Sequence, residues 1–197
     1  MRHQHFSSDL VFDGERDRPY LESDPTAPLG VYGQSKAEAE RRVLDAHPQA
    51  LVVRSSAFFG QWDAHNFVHQ ALTALERGEH VVAASNLTVS PTYVPDLVNT
   101  CLDLLIDHER GIWHLANDTA VSWAQLAVMA AQAAGVDPAR LEARPVPRQA
   151  PGAIRPVYSA LGSERAVLMP PLADALERFA EARGGVRAEY GTAMRAV

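Results

Sequence analysis

Residues 32–54 read YGQSKAEAERRVLDAHPQALVVR and set a helix directly before a strand. We predict a helix over residues 32–46, where good helix formers dominate. A buried strand is predicted over residues 51–54, a short and mostly apolar run rich in valine. A helix followed at once by a strand is the repeating unit of a layered α/β domain. This stretch therefore predicts the α/β class.

The same alternation extends outward in both directions. Strands are predicted at residues 4–12, 80–83 and 112–115, and helices at 66–76, 95–107, 123–134 and 171–183. Ser122 directly precedes one of these helices and is a suitable N-cap. We expect an irregular connection at 138–156, which is rich in Pro and Arg, and a loose tail after Gly184.

Composition and charge argue against several classes of protein. The chain has 197 residues, 47% of them hydrophobic, which suffices for one domain or two small ones. A formal net charge of -6 without a basic stripe argues against nucleic acid as a partner. No apolar run approaches the roughly 20 residues that cross a bilayer. Cys101, the single cysteine, is interpreted as a packing residue, and we expect a cytoplasmic protein without internal disulfides.

The spacing of the glycines bears on nucleotide binding. An α/β chain that grips a dinucleotide places a turn of the form G-x-G-x-x-G between its first strand and helix, where backbone amides approach the pyrophosphate. No three of the 12 glycines have that spacing. Gly30 and Gly33 follow a proline-rich loop, and we interpret them as turn glycines. The sequence therefore predicts no pyrophosphate-binding turn in this chain.

Tyr32 and Lys36 are candidates for proton transfer. Their spacing of four residues at the start of a predicted helix places both on one face, within reach of a common ligand. A phenol beside a cation ionises more readily than a free phenol, which suits it to acid-base chemistry. Lys36 is the sole lysine among 18 basic residues. Because this sequence otherwise uses arginine, a specific role for the Lys36 ammonium is favoured over a solvated surface pair.

Ser7, Ser8 and Asp9 close the first predicted strand. Ligands of open α/β sheets gather at the carboxyl ends of strands, so a hydroxyl there could reach the same substrate oxygen as Tyr32. The alternative is an ordinary turn or cap with a local hydrogen bond.

Two other chemistries are not indicated. His65 and His69 have a spacing of four residues but no nearby Glu, and we interpret them as part of a plain helix face and not as a metal site. The sequence has no G-x-S-x-G motif, which argues against a serine hydrolase.

Several linked motifs resemble one known family in order and spacing. They are SSDLVFDG at 7–14, DPTAPL at 24–29, VYGQSK at 31–36, VRSS at 53–56, SPTYV at 90–94, GIWHL at 111–115 and RPVYS at 155–159. On these motifs the chain is identified as a member of the dTDP-4-dehydrorhamnose reductase family of extended short-chain dehydrogenases. The similarity covers about residues 4–180.

The resemblance implies a catalytic triad of Ser8, Tyr32 and Lys36. Ser8 and Tyr32 would bind the 4-keto oxygen of a nucleotide-sugar while reduced NADPH or NADH delivers hydride to the carbon. Tyr32 would then donate the proton. Lys36 would bind the nicotinamide ribose and lower the pKa of Tyr32.

Five further positions match those with binding roles in the family. The resemblance implies that Ser55 and Ser56 flank the nicotinamide. Asp9, Asn66 and Arg155 are candidates for substrate contacts, and a guanidinium suits a diphosphate. For Arg155, a structural ion pair is an equally weighted alternative.

For the fold, the resemblance implies a partial Rossmann-like parallel sheet with a small α/β substrate-binding part. Residues 1–80 would form the catalytic half of the Rossmann-like domain, 81–183 the substrate-binding part and 184–197 a tail. The amino-terminal segment that carries the dinucleotide-binding turn in the family would be missing, so we expect weak dinucleotide binding. An N-terminal half, a fused partner domain or a second copy of the chain are the expected protein partners.

Three positions depart from the family pattern. Ala57 stands where a tryptophan near the sugar is common, Leu10 replaces a common tyrosine, and Asn86 stands near the usual place of an acidic and amide pair. Ala57 and the absent glycine turn support a second hypothesis, a non-catalytic sugar-nucleotide-binding or regulatory subunit of the same superfamily. Retention of the triad favours the reductase.

Overall fold

The computed structural model describes residues 3–147 and 154–193 of the chain. The strands are β1 (Gln4–Ser8), β2 (Leu51–Ser55), β3 (Phe58–Phe59), β4 (Val81–Ala84), β5 (Thr88–Val89), β6 (Thr92–Tyr93), β7 (Gly111–His114), β8 (Val121–Ser122) and β9 (Leu141–Arg144). The α-helices are α1 (Val31–Ala46), α2 (Phe67–Glu76), α3 (Val94–Ile106), α4 (Trp123–Ala133) and α5 (Leu172–Ala193). Short 3-10 helices lie at Asp9–Val11 and Pro138–Arg140.

A parallel sheet in the order β1-β2-β7 positions the site. All five residues of β2 are buried, because this strand has a neighbour on each side and a helix on each face. Val53 packs in a cluster with Leu97 of α3, whereas Arg54 pairs with Glu40 of α1. Successive side chains of a strand point to opposite faces, so α1 and α3 cover opposite faces of the sheet. The predicted α/β class with a parallel sheet is confirmed.

A second layer is built around α4. Its buried side chains share one apolar cluster with residues of α2 and α5, among them Leu72, Leu126 and Phe179. The pairs β4-β9 and β3-β6 are parallel, and β5-β8 is antiparallel. The predicted N-cap Ser122 forms a full capping box with Gln125 at the start of α4. The predicted domain boundary at residue 80 stays a prediction. Helix α2, which lies before this boundary in the chain, packs with α4 and α5, which lie after it.

Three segments differ from the sequence predictions. Residues 9–11 leave the strand for a 3-10 turn, because Ser8 accepts a hydrogen bond from the Leu10 amide and caps the turn. Part of the predicted irregular connection forms β9, whose backbone partners in β4 lie far away in the chain. Helix α5 continues to Ala193, through most of the predicted loose tail. Residues 148–153 and 194–197 of those segments lie outside the described residues.

No helix within the described ranges is both long enough and apolar enough to span a membrane.

Candidate active site

A cavity of about 220 Å³ lies at the carboxyl ends of β1 and β2. One part of its wall is polar and consists of Ser7, Ser8, Asp9, Ser55, Ser56 and Ser159. An apolar part consists of Leu10, Ala57, Phe58, Leu87, Val89, Trp123 and Pro156. Tyr32 and Arg155 complete the lining. The cavity thus offers hydroxyl groups on one side and an apolar surface on the other, at the edge of the sheet where α/β proteins bind ligands.

Tyr32 is the second residue of α1 and is 54% exposed. The Nζ atom of Lys36 lies 5.7 Å from the centre of the Tyr32 ring. Lys36 Nζ also donates a hydrogen bond to the carbonyl oxygen of Phe6, at 3.0 Å. The structure therefore brings the phenol to the cavity and the ammonium to the phenol, with Lys36 anchored on the backbone of β1.

Gly33 allows α1 to approach the turn that follows β1. A Cβ atom at this position would lie 2.1 Å from the carbonyl oxygen of Leu10, which no side chain tolerates. The interpretation of Gly33 as a turn glycine is therefore wrong, because it lies inside α1 and is needed for a close backbone approach. This approach places the adjacent Tyr32 beside Ser8 and Asp9 on the cavity wall.

Asp9 is the centre of a buried hydrogen-bond cluster. Its Oδ2 atom accepts hydrogen bonds from Ser56 Oγ at 2.7 Å and Ser159 Oγ at 2.6 Å. Its Oδ1 atom accepts one from Ser8 Oγ at 3.0 Å. Burial raises the pKa of the Asp9 carboxyl, and the three serine hydroxyls act in the opposite direction. Through these hydrogen bonds Asp9, which follows β1, is linked to Ser56, which follows β2, and to Ser159 of the segment after Pro156.

Ser7 and Ser55 each present a buried hydroxyl group with no hydrogen-bond partner in the described part of the chain. Both residues line the cavity. A buried polar group without a partner loses free energy of hydration that a ligand could restore. These hydroxyls fit a polar ligand or cofactor group, such as a carboxamide or a sugar hydroxyl. Ser55 was predicted as a cofactor contact, whereas Ser7 was assigned no separate role.

Arg155 and Asn66, two predicted substrate contacts, lie in different surroundings. Arg155 lines the first cavity and a neighbouring one of about 670 Å³ beside the start of α1. Asn66 is not among the residues that line either cavity. Its Oδ1 atom accepts from the His69 amide as the N-cap of α2, and its Nδ2 atom donates to the Gly60 and Asp63 carbonyls. Because these bonds occupy the Asn66 amide, the cavity gives no support to its predicted substrate contact.

The three departures from the family pattern also have definite places. Ala57 has a φ of 43°, in the left-handed region, and lines the cavity together with Leu10. Asn86 exchanges two hydrogen bonds with the backbone of Val146 and so holds the end of β9. No group of three or more His, Cys, Asp or Glu side chains that could hold a metal ion occurs among the residues described.

Within the hydrogen-bond cluster around Asp9, Ser159 is the residue to which the sequence assigned no role. It belongs to the RPVYS motif, but it is 150 positions away from Asp9. Only its presence in a motif that matches the family could have indicated it, because no local spacing links it to β1.

Comparisons with known proteins point to one family. Residues 4–177 match the family described as RmlD substrate binding domain. A dTDP-4-dehydrorhamnose reductase of Mycobacterium tuberculosis is 40% identical over 172 residues, which cover 82% of this chain and 55% of that protein. A dTDP-4-keto-6-deoxy-D-glucose reductase of Streptomyces niveus is 33% identical over 161 residues, covering 81% and 56% respectively.

A solved structure of dTDP-4-dehydrorhamnose reductase from Bacillus anthracis, in complex with NADP, superimposes with a TM-score of 0.82 and 28% identity. It is matched over 89% of this chain and 64% of that one. The chain spans about half the length of the curated relatives that it matches.

Proposed function

The chain belongs to the RmlD substrate binding domain family, and from this premise we propose that it carries the substrate side and the proton donor of a 4-keto dTDP-sugar reductase. The observation that supports the proposal best is that Ser8 and Tyr32 line one cavity while Lys36 lies against the Tyr32 ring. A hydroxyl and a phenol on the wall of one cavity suit a ketone oxygen, which can accept hydrogen bonds from both.

In this proposal Ser8 and Tyr32 hold the keto oxygen, and Tyr32 donates a proton to it as the ketone becomes an alcohol. The positive charge of Lys36, 5.7 Å from the ring, stabilises the negative charge left on the phenol oxygen. Reduced NADPH or NADH, when bound, supplies the hydride. Ser55 and Ser56 line the cavity together with Ser8, and in this proposal the unpartnered hydroxyl of Ser55 holds the nicotinamide end, while Ser56, whose hydrogen goes to Asp9, accepts a hydrogen bond from it.

The substrate proposal rests on the chemistry of the cavity and on the relatives. Arg155 lies at the cavity and offers a guanidinium to the diphosphate of a nucleotide-sugar. The relatives named above are reductases of dTDP-linked keto sugars. The apolar wall, which includes Ala57 and Trp123, suits the less polar face of a sugar ring. We propose a cytoplasmic location because Cys101 is a free, buried thiol, as in a reducing compartment.

Replacing Tyr32 with Phe tests the proposal. We expect turnover of dTDP-4-dehydrorhamnose with NADPH to fall by about 10²- to 10⁴-fold, the usual contribution of a positioned proton donor. Because Tyr32 is 54% exposed, the variant should unfold at the same temperature as the unchanged chain. The loss of NADPH absorbance follows the reaction.

Tyr158→Phe is the matched control, since it removes a phenol oxygen outside the cavity lining. Its turnover should stay within about twofold of that of the unchanged chain. Undiminished turnover in Tyr32→Phe would reject the triad. A chain that binds the dTDP-sugar and NADPH together but does not reduce the sugar would favour the non-catalytic binding role instead.

A further inference from the structure

The hydroxyl group of Ser8 has a single hydrogen, but it faces three possible hydrogen-bonding partners. Its Oγ atom accepts a hydrogen bond from the Leu10 amide at 3.2 Å and donates one to Asp9 Oδ1 at 3.0 Å. The third possible partner is a ligand in the cavity, because Ser8 is one of the residues that line it. Since a hydroxyl has a single donor, a hydrogen committed to Asp9 cannot also be given to a ligand.

The two oxygen atoms of Asp9 are not equivalent. Oδ2 accepts from Ser56 and Ser159 at 2.7 and 2.6 Å, so it acts as an acceptor whether the carboxyl is ionised or protonated. Oδ1 has the single, longer contact to Ser8, at 3.0 Å. Oδ1 is therefore the oxygen on which a proton can sit without breaking either of the two short hydrogen bonds.

The two charge states of Asp9 leave Ser8 with opposite polarity toward the cavity. When Asp9 is ionised, it takes the Ser8 hydrogen, and Ser8 presents only lone pairs to a ligand. When Oδ1 carries a proton, it donates to Ser8 Oγ, and the Ser8 hydrogen is free to point into the cavity. A ketone oxygen is purely an acceptor, so only the second arrangement suits it.

We propose that Asp9 is a positioning residue that donates its Oδ1 hydrogen to Ser8 and thereby turns the Ser8 hydrogen toward the keto oxygen of the substrate. This inference rests on the proposed function and deepens it, because it specifies the charge state of Asp9 in which Ser8 can donate to a carbonyl oxygen. No proton leaves Asp9 in the process, since the bond to Ser8 is a hydrogen bond and the proton for the product comes from Tyr32.

The surroundings of Asp9 are consistent with a protonated carboxyl. Asp9 is 6% exposed, and burial raises its pKa. The side chains that hydrogen-bond to its carboxyl in the described chain are the neutral hydroxyls of Ser8, Ser56 and Ser159, and its own backbone amide is a further partner. The ionisable side chains that share the cavity wall with it there are Tyr32 and Arg155.

Binding of two ligands across a range of pH tests the inference. The probes are dTDP-4-dehydrorhamnose, which has a keto oxygen, and dTDP-rhamnose, which has a hydroxyl at the same carbon. We expect the affinity for the ketone to fall by about tenfold as pH rises through the pKa of Asp9, the equivalent of one lost hydrogen bond. Affinity for dTDP-rhamnose should change much less, because its hydroxyl can donate to Ser8. Calorimetry gives both dissociation constants.

Asp9→Asn is the sharpest variant. Its amide group can donate to Ser8 at every pH while its oxygen accepts from Ser56 and Ser159, so ketone affinity should be retained and lose its dependence on pH. Ser159→Ala removes a hydroxyl that lowers the pKa of Asp9, so the midpoint of the ketone's pH dependence should move to higher pH. A purely structural role for Asp9 predicts neither effect. Infrared spectra should show a protonated carboxyl band that disappears in Asp9→Asn and titrates with the same midpoint.

The outcomes are distinguishable from those of the proposed function. Equal pH dependence for both ligands, or loss of ketone binding in a folded Asp9→Asn variant, would overturn the role of Asp9 and leave the reductase proposal intact. Failure of the unchanged chain to bind either dTDP-sugar at any pH would overturn both.

Discussion

His114, at the end of β7, is held in one tautomer by its neighbours. Its Nδ1 atom lies 3.0 Å from the Tyr20 carbonyl and 2.8 Å from the Gly162 carbonyl, so Nδ1 must carry the hydrogen. Its Nε2 atom lies 3.3 Å from Nη1 of Arg54 and must accept. Arg54 in turn forms a buried pair with Glu40, with Nη2 to Oε2 at 2.7 Å. A protonated His114 would lose its bond from Arg54 and face that cation directly.

This environment predicts how stability depends on pH. Burial is the main cause that lowers the pKa of His114 below its ordinary value of 6.5. The unfolded chain therefore binds a proton at this site at higher pH than the folded chain does. The contribution of neutral His114 is fully present above pH 6.5 and is lost as pH falls through the folded-state pKa.

Urea unfolding at a series of pH values, compared between the unchanged chain and His114→Asn, measures this contribution. Asn keeps a donor near the position of Nδ1 but does not titrate. The unfolding free energy of the variant should therefore fall less steeply below pH 6.5 than that of the unchanged chain. Equal slopes of unfolding free energy against pH in the two proteins would contradict the assignment of this pH dependence to His114. The comparison with the variant is needed because other ionisable groups also titrate in both proteins.

At the scale of elements, α1 contacts the 3-10 turn after β1, and both elements contribute residues to the cavity wall. Gly33 permits this contact, since its position leaves no space for a Cβ atom beside the Leu10 carbonyl. Backbone atoms on both sides cannot move aside as a flexible side chain could. Any side chain at position 33 must therefore displace the first turn of α1, which carries Tyr32.

Gly33→Ala should lower the free energy of unfolding by about 1–3 kcal/mol, as overpacking does, and should reduce turnover as well. Gly184→Ala is the matched control, because a Cβ atom there meets nothing within 4 Å in α5. The control should stabilise the chain by about 0.5–1 kcal/mol through better helix propensity. Denaturant unfolding measures both changes. A Gly33→Ala variant as stable as the unchanged chain would show that α1 is free to move away from β1.

At the scale of the whole molecule, the cavity and the glycine pattern both bear on the affinity of the chain for a dinucleotide. The cavity of about 220 Å³ is smaller than the roughly 300–1,000 Å³ of typical ligand pockets, and the neighbouring cavity of about 670 Å³ is not lined by Ser55 or Ser56. The sequence contains no glycine-rich turn to bind a pyrophosphate. Contacts with NADPH would then be limited to its nicotinamide end.

We therefore predict that this chain binds NADPH with a dissociation constant above about 1 µM. Calorimetric titration of the chain with NADPH measures it, and titration in the presence of dTDP-rhamnose shows whether the two ligands compete for the cavity. A submicromolar constant would mean that the chain contains pyrophosphate contacts that its glycine pattern does not reveal.

The sequence by itself determined the features that depend on residues close together in the chain. The alternation of helices and strands follows from local periodicity, and the Ser122 cap depends on residues within one turn of α4. Tyr32 and Lys36 share a face because four residues make about one helical turn. The family motifs likewise matched the chain without any coordinates.

Only the tertiary structure decided which distant groups meet. Ser159 reaches Asp9 across 150 positions, and β9 finds β4 far from it in the chain. Gly33 proved to be a contact glycine inside α1 because of the position of Leu10, and Asn66 proved to be a helix cap with its amide already occupied. Such contacts depend on sheet register and on how the helices pack. Local patterns specify which face of an element is buried but not which segment covers it.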